Sequence, residues 1–149
     1  MVLLACRYAW ATDAFLGQMA YRAKSRWIAL GIPILPRIAH GIAMASAQIC
    51  IDDIVVMQPG VYIAHGQIVA GGFTKIHTGV VIFPWVTIGL RKNPMGPVIG
   101  EGVHIGSGAR VIGPITIGPG AEIGANAVVL DDVAPGVTVV GIPARPTRS

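Results

Sequence analysis

The chain has 149 residues, of which 53% are apolar and only 12% charged, with a net charge of +4. That length suits one domain, or one domain with an appendage, able to bury about two-thirds of its unfolded surface. No apolar run reaches the eighteen residues of a membrane-spanning helix, and no basic stripe is interleaved with aromatic residues, so nucleic acid is not the expected partner.

The charge is uneven. Residues 1–50 carry Arg7, Arg22, Lys24, Arg26 and Arg37 against Asp13 alone, whereas the remainder carries six basic and six acidic side chains. A basic amphipathic lead can be a solvated helix face or can touch an anionic membrane surface. Met1–Arg7 has no basic leader before its apolar run and does not read as a secretory signal. Two cysteines, Cys6 and Cys50, make no disulfide framework, so a cytoplasmic, reducing location is expected.

From Thr12 to Leu30 the pattern is helical, with Thr12 or Asp13 as cap and a stripe of Leu16, Ala20, Ala23, Trp27 and Leu30. Gly31 and Pro33 end it. A second short helix is expected around Arg37–Ala47, and residues 1–48 together read as a helical segment that covers one end of the domain formed by the rest of the chain.

The organising stretch is Val98–Leu130. Ile99, Ile105, Val111, Ile117, Ile123 and Val129 recur every six residues, and glycine follows four of them. Such hexads mark a parallel β-helix, in which each repeat is a short strand and a corner. Aliphatic residues point into a narrow prism, small residues share the interior, and glycine lets the backbone turn. Upstream, Ile51, Met57, Ile63 and Val69 keep the six. The next inward residue is then Ile76, with one extra residue expected as a bulge beside Gly71-Gly72. Between Ile88 and Ile99 five residues are extra, so residues 90–97 must loop outside the prism. The column is expected over residues 49–142, ending in a run Val137–Ile142, with 143–149 as a basic tail.

Four histidines are available for chemistry. His40 falls in the helical lead and His104 on an outer flat face. His65 and His77 stand at corners, where neighbouring columns can form a cleft, and either could serve as a base. No two histidines are spaced closely on one rung, as the zinc-binding gamma-class carbonic anhydrases require, so no metal is expected.

The segments Gly60–Val69, Trp85–Gly89 and Pro97–Leu130, with the closing Gly141-Ile142-Pro143-Ala144-Arg145, resemble the hexapeptide-repeat acyltransferases, and among them the serine acetyltransferase-like branch. The resemblance implies an all-β fold, a left-handed parallel β-helix of hexapeptide repeats with a short N-terminal helical segment, assembled as a homotrimer. It implies an acyl-CoA donor, most simply acetyl-CoA, lying between adjacent columns, and His65 as the general base. Ser107 and Ala125 match positions that meet the pantetheine arm, and Arg145 and Arg148 match basic residues that meet the nucleotide phosphates. Ala64 stands where the branch has an aspartate, and Met95-Gly96 where it has Arg-His, with Arg91 or Lys92 as substitutes for that charge. Cys50 stands where a carboxylate usually orients the base, with Asp52 or Asp53 as substitutes. The function implied is acetyl transfer to a hydroxyl of a small molecule or sugar. True serine acetylation and a non-catalytic assembly module are the alternatives.

Overall fold

The computed structural model describes residues 15–147. The expected caps Thr12 and Asp13, with Cys6 and Arg148, lie outside the described residues. Helix α1 (Phe15–Ala29) is followed by α2 (Leu35–Ala47). Fifteen short strands then wind in turns of a column. The first turn is β1 (Ile49–Ile51), β2 (Val56–Met57) and β3 (Tyr62–Ile63); the second is β4 (Ile68–Ala70), β5 (Lys75–Ile76) and β6 (Val81–Ile82). The third is β7 (Thr87–Gly89), β8 (Val98–Ile99) and β9 (His104–Ile105); the fourth is β10 (Arg110–Ile112), β11 (Thr116–Ile117) and β12 (Glu122–Ile123). Then come β13 (Val128–Val129), β14 (Thr138–Val140) and β15 (Arg145–Pro146).

The strands stack into three faces of a prism. The first face runs β1-β4-β7-β10-β13, the second β2-β5-β8-β11, and the third β3-β6-β9-β12-β14-β15. All pairings are parallel except β14 with β15. Register puts like residues in columns: Ile63, Ile82, Ile105, Ile123 and Val139 on the third face, and Met57, Ile76, Ile99 and Ile117 on the second. Every isoleucine in these columns is almost wholly buried. Each contributes roughly 1.5–3 kcal/mol by leaving water, and the in-register stack makes that gain repeat with every turn.

The first face corrects the expected register. Val69 is not inward: it pairs with Cys50 and Thr87 and is 49% exposed, while Ile68 and Ala70 on either side are buried. Ala70 is thus the partner of Ile51 and Ile88, and the extra residue falls in the corner before β4, not beside Gly71-Gly72. His65, Gly66 and Gln67 all have positive φ there, at 60°, 79° and 57°, and three left-handed residues in a row make a wider turn. Ile-Val-Ala is apolar throughout, so hydrophobicity alone could not say which member points outward.

The helices also differ from expectation. Of the expected stripe, Ala20 is buried and Trp27 packs against the core, but Leu16 and Leu30 are 64% and 65% exposed, and α1 also buries Gly17, Tyr21 and Lys24. Close approach is the reason: a Cβ on Gly17 would stand 2.8 Å from Ala47 Cβ and 2.9 Å from Ile49 Cδ1. Gly31 ends α1 with φ 70°, its N–H donating to Ile28 O and that of Ile32 to Trp27 O, the paired bonds of a Schellman closure. From the buried face of α1, Gln18 Nε2 donates to Ile63 O at 3.0 Å, Tyr21 OH to Val55 O at 3.2 Å and Lys24 Nζ to Ile51 O at 3.1 Å. These carbonyls belong to the first turn, which has no turn beneath it, so three side chains spaced three apart close the open end.

The far end closes differently. Ile142 is 75% exposed rather than part of a last inward run, and the chain reverses so that β15 lies antiparallel on β14. Residues 145–146, expected in a free tail, therefore shield the last edge.

Candidate active-site edge

His65 lies on the edge where the third face turns into the first. The same edge carries Phe83-Pro84-Trp85 between β6 and β7, Gly106-Ser107-Gly108 between β9 and β10, and Gly124-Ala125-Asn126 between β12 and β13. The corners are locked by a backbone ladder: Gln67 N–H donates to Ala47 O at 2.7 Å, Trp85 N–H to Gln67 O at 2.8 Å, Gly108 N–H to Pro84 O at 2.9 Å and Asn126 N–H to Ser107 O at 2.9 Å. With turns stacked at ~4.8 Å, Ser107 stands about 10 Å and Ala125 about 14 Å along the axis from His65. His65, Ser107 and Ala125 are all exposed.

At the end of the column Ala144 N–H donates to Val128 O at 2.8 Å, laying the chain over the first face, and Arg145 comes next. Its guanidinium donates to Asp131 Oδ2 at 3.2 Å and to Ala144 O at 3.0 Å, with most of the side chain in solvent. The order along the edge is therefore the His65 imidazole, Trp85 and two small residues, while the Arg145 guanidinium lies over the end of the column beside Asp131, at the opposite edge of the first face. A thioester-bearing arm with a phosphorylated end could lie along such a strip, its reactive carbonyl at the imidazole.

Asp52, Asp53, Arg91 and Lys92 are elsewhere. All four come after first-face strands, at the opposite edge of that face, where it turns into the second. Asp52 Oδ2 accepts the Gly72 N–H at 3.3 Å, and Asp53 pairs with Lys24 at 2.5 Å. Both carboxylates line a cavity of about 490 Å³ with Lys24, Arg37 and His40. Arg91 and Lys92 are exposed on the external loop and line a cavity of about 310 Å³ with Asn93 and Pro114. Within one chain none of the four shares an edge with His65. Cys50 lies outward on the first face beside Val69. His77 comes after β5, at the edge between the second and third faces, and His104 is exposed on β9.

Two residues of the His65 edge carry no obvious motif. Trp85 is 59% exposed with φ 66°. Arg110, on β10, donates from Nη1 to Trp85 O at 2.8 Å and to Thr87 Oγ1 at 3.0 Å. The available signal was the aromatic residue itself: Phe-Pro-Trp fills a corner that is Gly-Ser-Gly one turn later.

Stacked hexads with a helical cap define a hexapeptide-repeat β-helix. The bacterial transferase hexapeptide (six repeats) family model matches residues 96–131. A serine acetyltransferase of Helicobacter pylori is 42% identical over 90 residues, 58% of this chain and 53% of that protein. One from Mycobacterium tuberculosis is 35% identical over 119 residues, 77% of this chain and 52% of that protein. In three dimensions the chain superposes on a Neisseria gonorrhoeae serine acetyltransferase with TM-score 0.83 and 31% identity, covering 92% of this chain and 55% of that one. It superposes on a serine acetyltransferase in complex with CoA at TM-score 0.81 and 30% identity, covering 91% and 57%. Over its column and helical cap the chain is similar to the serine acetyltransferases, and residues 96–131 carry the transferase hexapeptide repeat. It spans about half the length of the curated relatives it matches. A column of opposite hand would not superpose this well, so the hand of the helix is that of those structures. No helix among the described residues is long and apolar enough to cross a membrane.

Proposed function

We propose that the chain transfers an acetyl group from acetyl-CoA to a hydroxyl of a small molecule or sugar, with His65 as general base. The observation that carries this reading is the common edge of His65, Ser107 and Ala125, with Arg145 near the end of the column they lead to. The imidazole accepts the proton of the acceptor hydroxyl as its oxygen attacks the thioester carbonyl, a contribution of typically ~10²–10⁴-fold. The tetrahedral oxyanion is met by backbone N–H groups, and collapse expels the CoA thiolate, which takes up the proton held on His65. Ser107 and Ala125 leave room for the pantetheine arm, and Arg145, with Arg148, meets the phosphates through a permanently charged fork of donors.

The candidate support residues occupy the other edge of the first face. A neighbouring column would bring that edge, with Asp52, Asp53, Arg91 and Lys92, against the His65 edge, which supports a homotrimer with the site between subunits. The names of the relatives favour a second reading, serine as the acceptor. Thiol release from acetyl-CoA, measured over serine, sugars and amino sugars, tests both. His65→Ala is expected to abolish turnover while CoA affinity by calorimetry changes little. Full activity in that variant would reject the assignment, and no CoA binding by an intact oligomer would leave only an assembly module.

A further inference from the structure

We propose that Trp85 is the acceptor platform of the site and that the acceptor it selects is a saccharide ring; this rests on the acetyl-transfer reading above. At the matching position of each corner of the His65 edge stands a left-handed residue: Gln67, Trp85, Gly108 and Asn126, with φ 57°, 66°, 73° and 57°. Glycine and asparagine fit that conformation with little cost, and a bulky aromatic residue is a true outlier there. Backbone held in such a region costs of order 1–3 kcal/mol and concentrates at functional sites. The corner is held from outside its own turn as well. Arg110 donates to the Trp85 carbonyl, and the Trp85 N–H is tied to Gln67. Packing within the chain does not account for the residue, because 59% of it remains in solvent.

Its place on the edge says what it meets. Trp85 stands one turn from the His65 corner and one turn from Ser107, between the imidazole and the two small residues, within one turn of the reacting carbonyl. A flat apolar face with a polar N–H at its rim suits a pyranose, whose axial C–H bonds form an apolar face bordered by hydroxyls. Free serine is a poor match to the same surface. Its ammonium needs a carboxylate, and this chain's own segments 64–67, 83–85, 106–108 and 124–126 contain none, which leaves only the Asp52 and Asp53 edge of a neighbouring column to supply one.

The test compares the wild-type chain with Trp85→Phe, which keeps a ring, and Trp85→Gly, which suits the backbone. Methyl β-D-glucopyranoside, N-acetylglucosamine and serine serve as acceptors. In Trp85→Gly the saccharide KM is expected to rise at least tenfold, with the KM for acetyl-CoA within twofold and thermal stability equal or higher. Trp85→Phe retains most saccharide affinity. Tryptophan fluorescence, titrated with each saccharide, is expected to change in the wild type and not in Trp85→Phe. The platform is overturned by an unchanged saccharide KM in Trp85→Gly, by an equal rise in the acetyl-CoA KM, by transfer to serine with saccharides refused, or by a fluorescence response independent of Trp85. Saccharide binding that needs Trp85 but no turnover with any acceptor would defeat the acetyl-transfer reading and leave the platform standing.

Discussion

The carbonyl of Ala47, at the end of α2, accepts the Gln67 N–H at 2.7 Å, and Gly66 lies so close beneath it that a Cβ there would overlap that same oxygen. The helical cap is therefore pressed against the corner that presents His65.

Gly66→Ala is expected to damage both stability and catalysis. Its φ of 79° costs any other residue about 1–3 kcal/mol, and the added methyl must also displace Ala47. Gly102→Ala is the control, because φ there is 65° and nothing lies within 4 Å of the new Cβ. Urea midpoints should fall further for Gly66→Ala than for Gly102→Ala, and kcat should fall only in the former.

Lys24 closes the first turn from inside the cap. It is 6% exposed, donates to Ile51 O and pairs with Asp53. Lys24→Met fills similar space but strands the carbonyl, a loss of about 1–3 kcal/mol. Asp53→Asn should cost less than about 1 kcal/mol, because that carboxylate is 60% exposed. Denaturant unfolding of the two variants checks the order.

Burial raises the pKa of Tyr21 above its ordinary value of 10.0, helped by the charge of Asp53 and partly opposed by the Ser25 hydrogen bond. The folded state thus favours the neutral phenol. This contribution is complete below the unfolded pKa and is lost as pH rises through the folded value. Stability should therefore fall above pH 10 more steeply in the wild type than in Tyr21→Phe. At pH 7 that variant should lose about 1 kcal/mol with the bond to Val55 O. Equal slopes in the alkaline limb would reject this account.

Arg145 is mostly solvated, and its pair with Asp131 is exposed on both sides. Such a pair adds little to folding, so Arg145→Ala should leave thermal unfolding within a degree or two. If the guanidinium meets the CoA phosphates, the KM for acetyl-CoA should rise about 5–10-fold, by the loss of one charge-assisted contact. Raising salt should weaken the wild type toward the variant.

Much of the column is legible in the order of residues. Six hexads in phase assign inward residues because one large aliphatic and one mostly small side chain in six fit inside the prism, and Ile99, Ile105, Val111, Ile117 and Ile123 are buried as that rule requires, with Val103, Ala109, Ala121 and Ala127 beside them. Where every residue is apolar, as in Ile68-Val69-Ala70, the rule loses its contrast, and the extra residue sits at the His65 corner instead of beside Gly71-Gly72. The stripe on α1 held at Ala20 and Trp27 and failed at Leu16 and Leu30 for a related reason: close contact of Gly17 with Ala47 and Ile49 leaves no room there for leucine, so the leucines face outward.

The amino-acid order alone determined the period of the solenoid, the ejected loop and the few residue types able to carry chemistry, because period and composition are local properties. Which of those residues share an edge was decided by the winding. Each turn takes about eighteen residues to return to the same corner, so positions distant in the chain become neighbours about 5 Å apart. That stacking put His65, Trp85, Ser107 and Ala125 in one line and sent Asp52, Asp53, Arg91 and Lys92 to another.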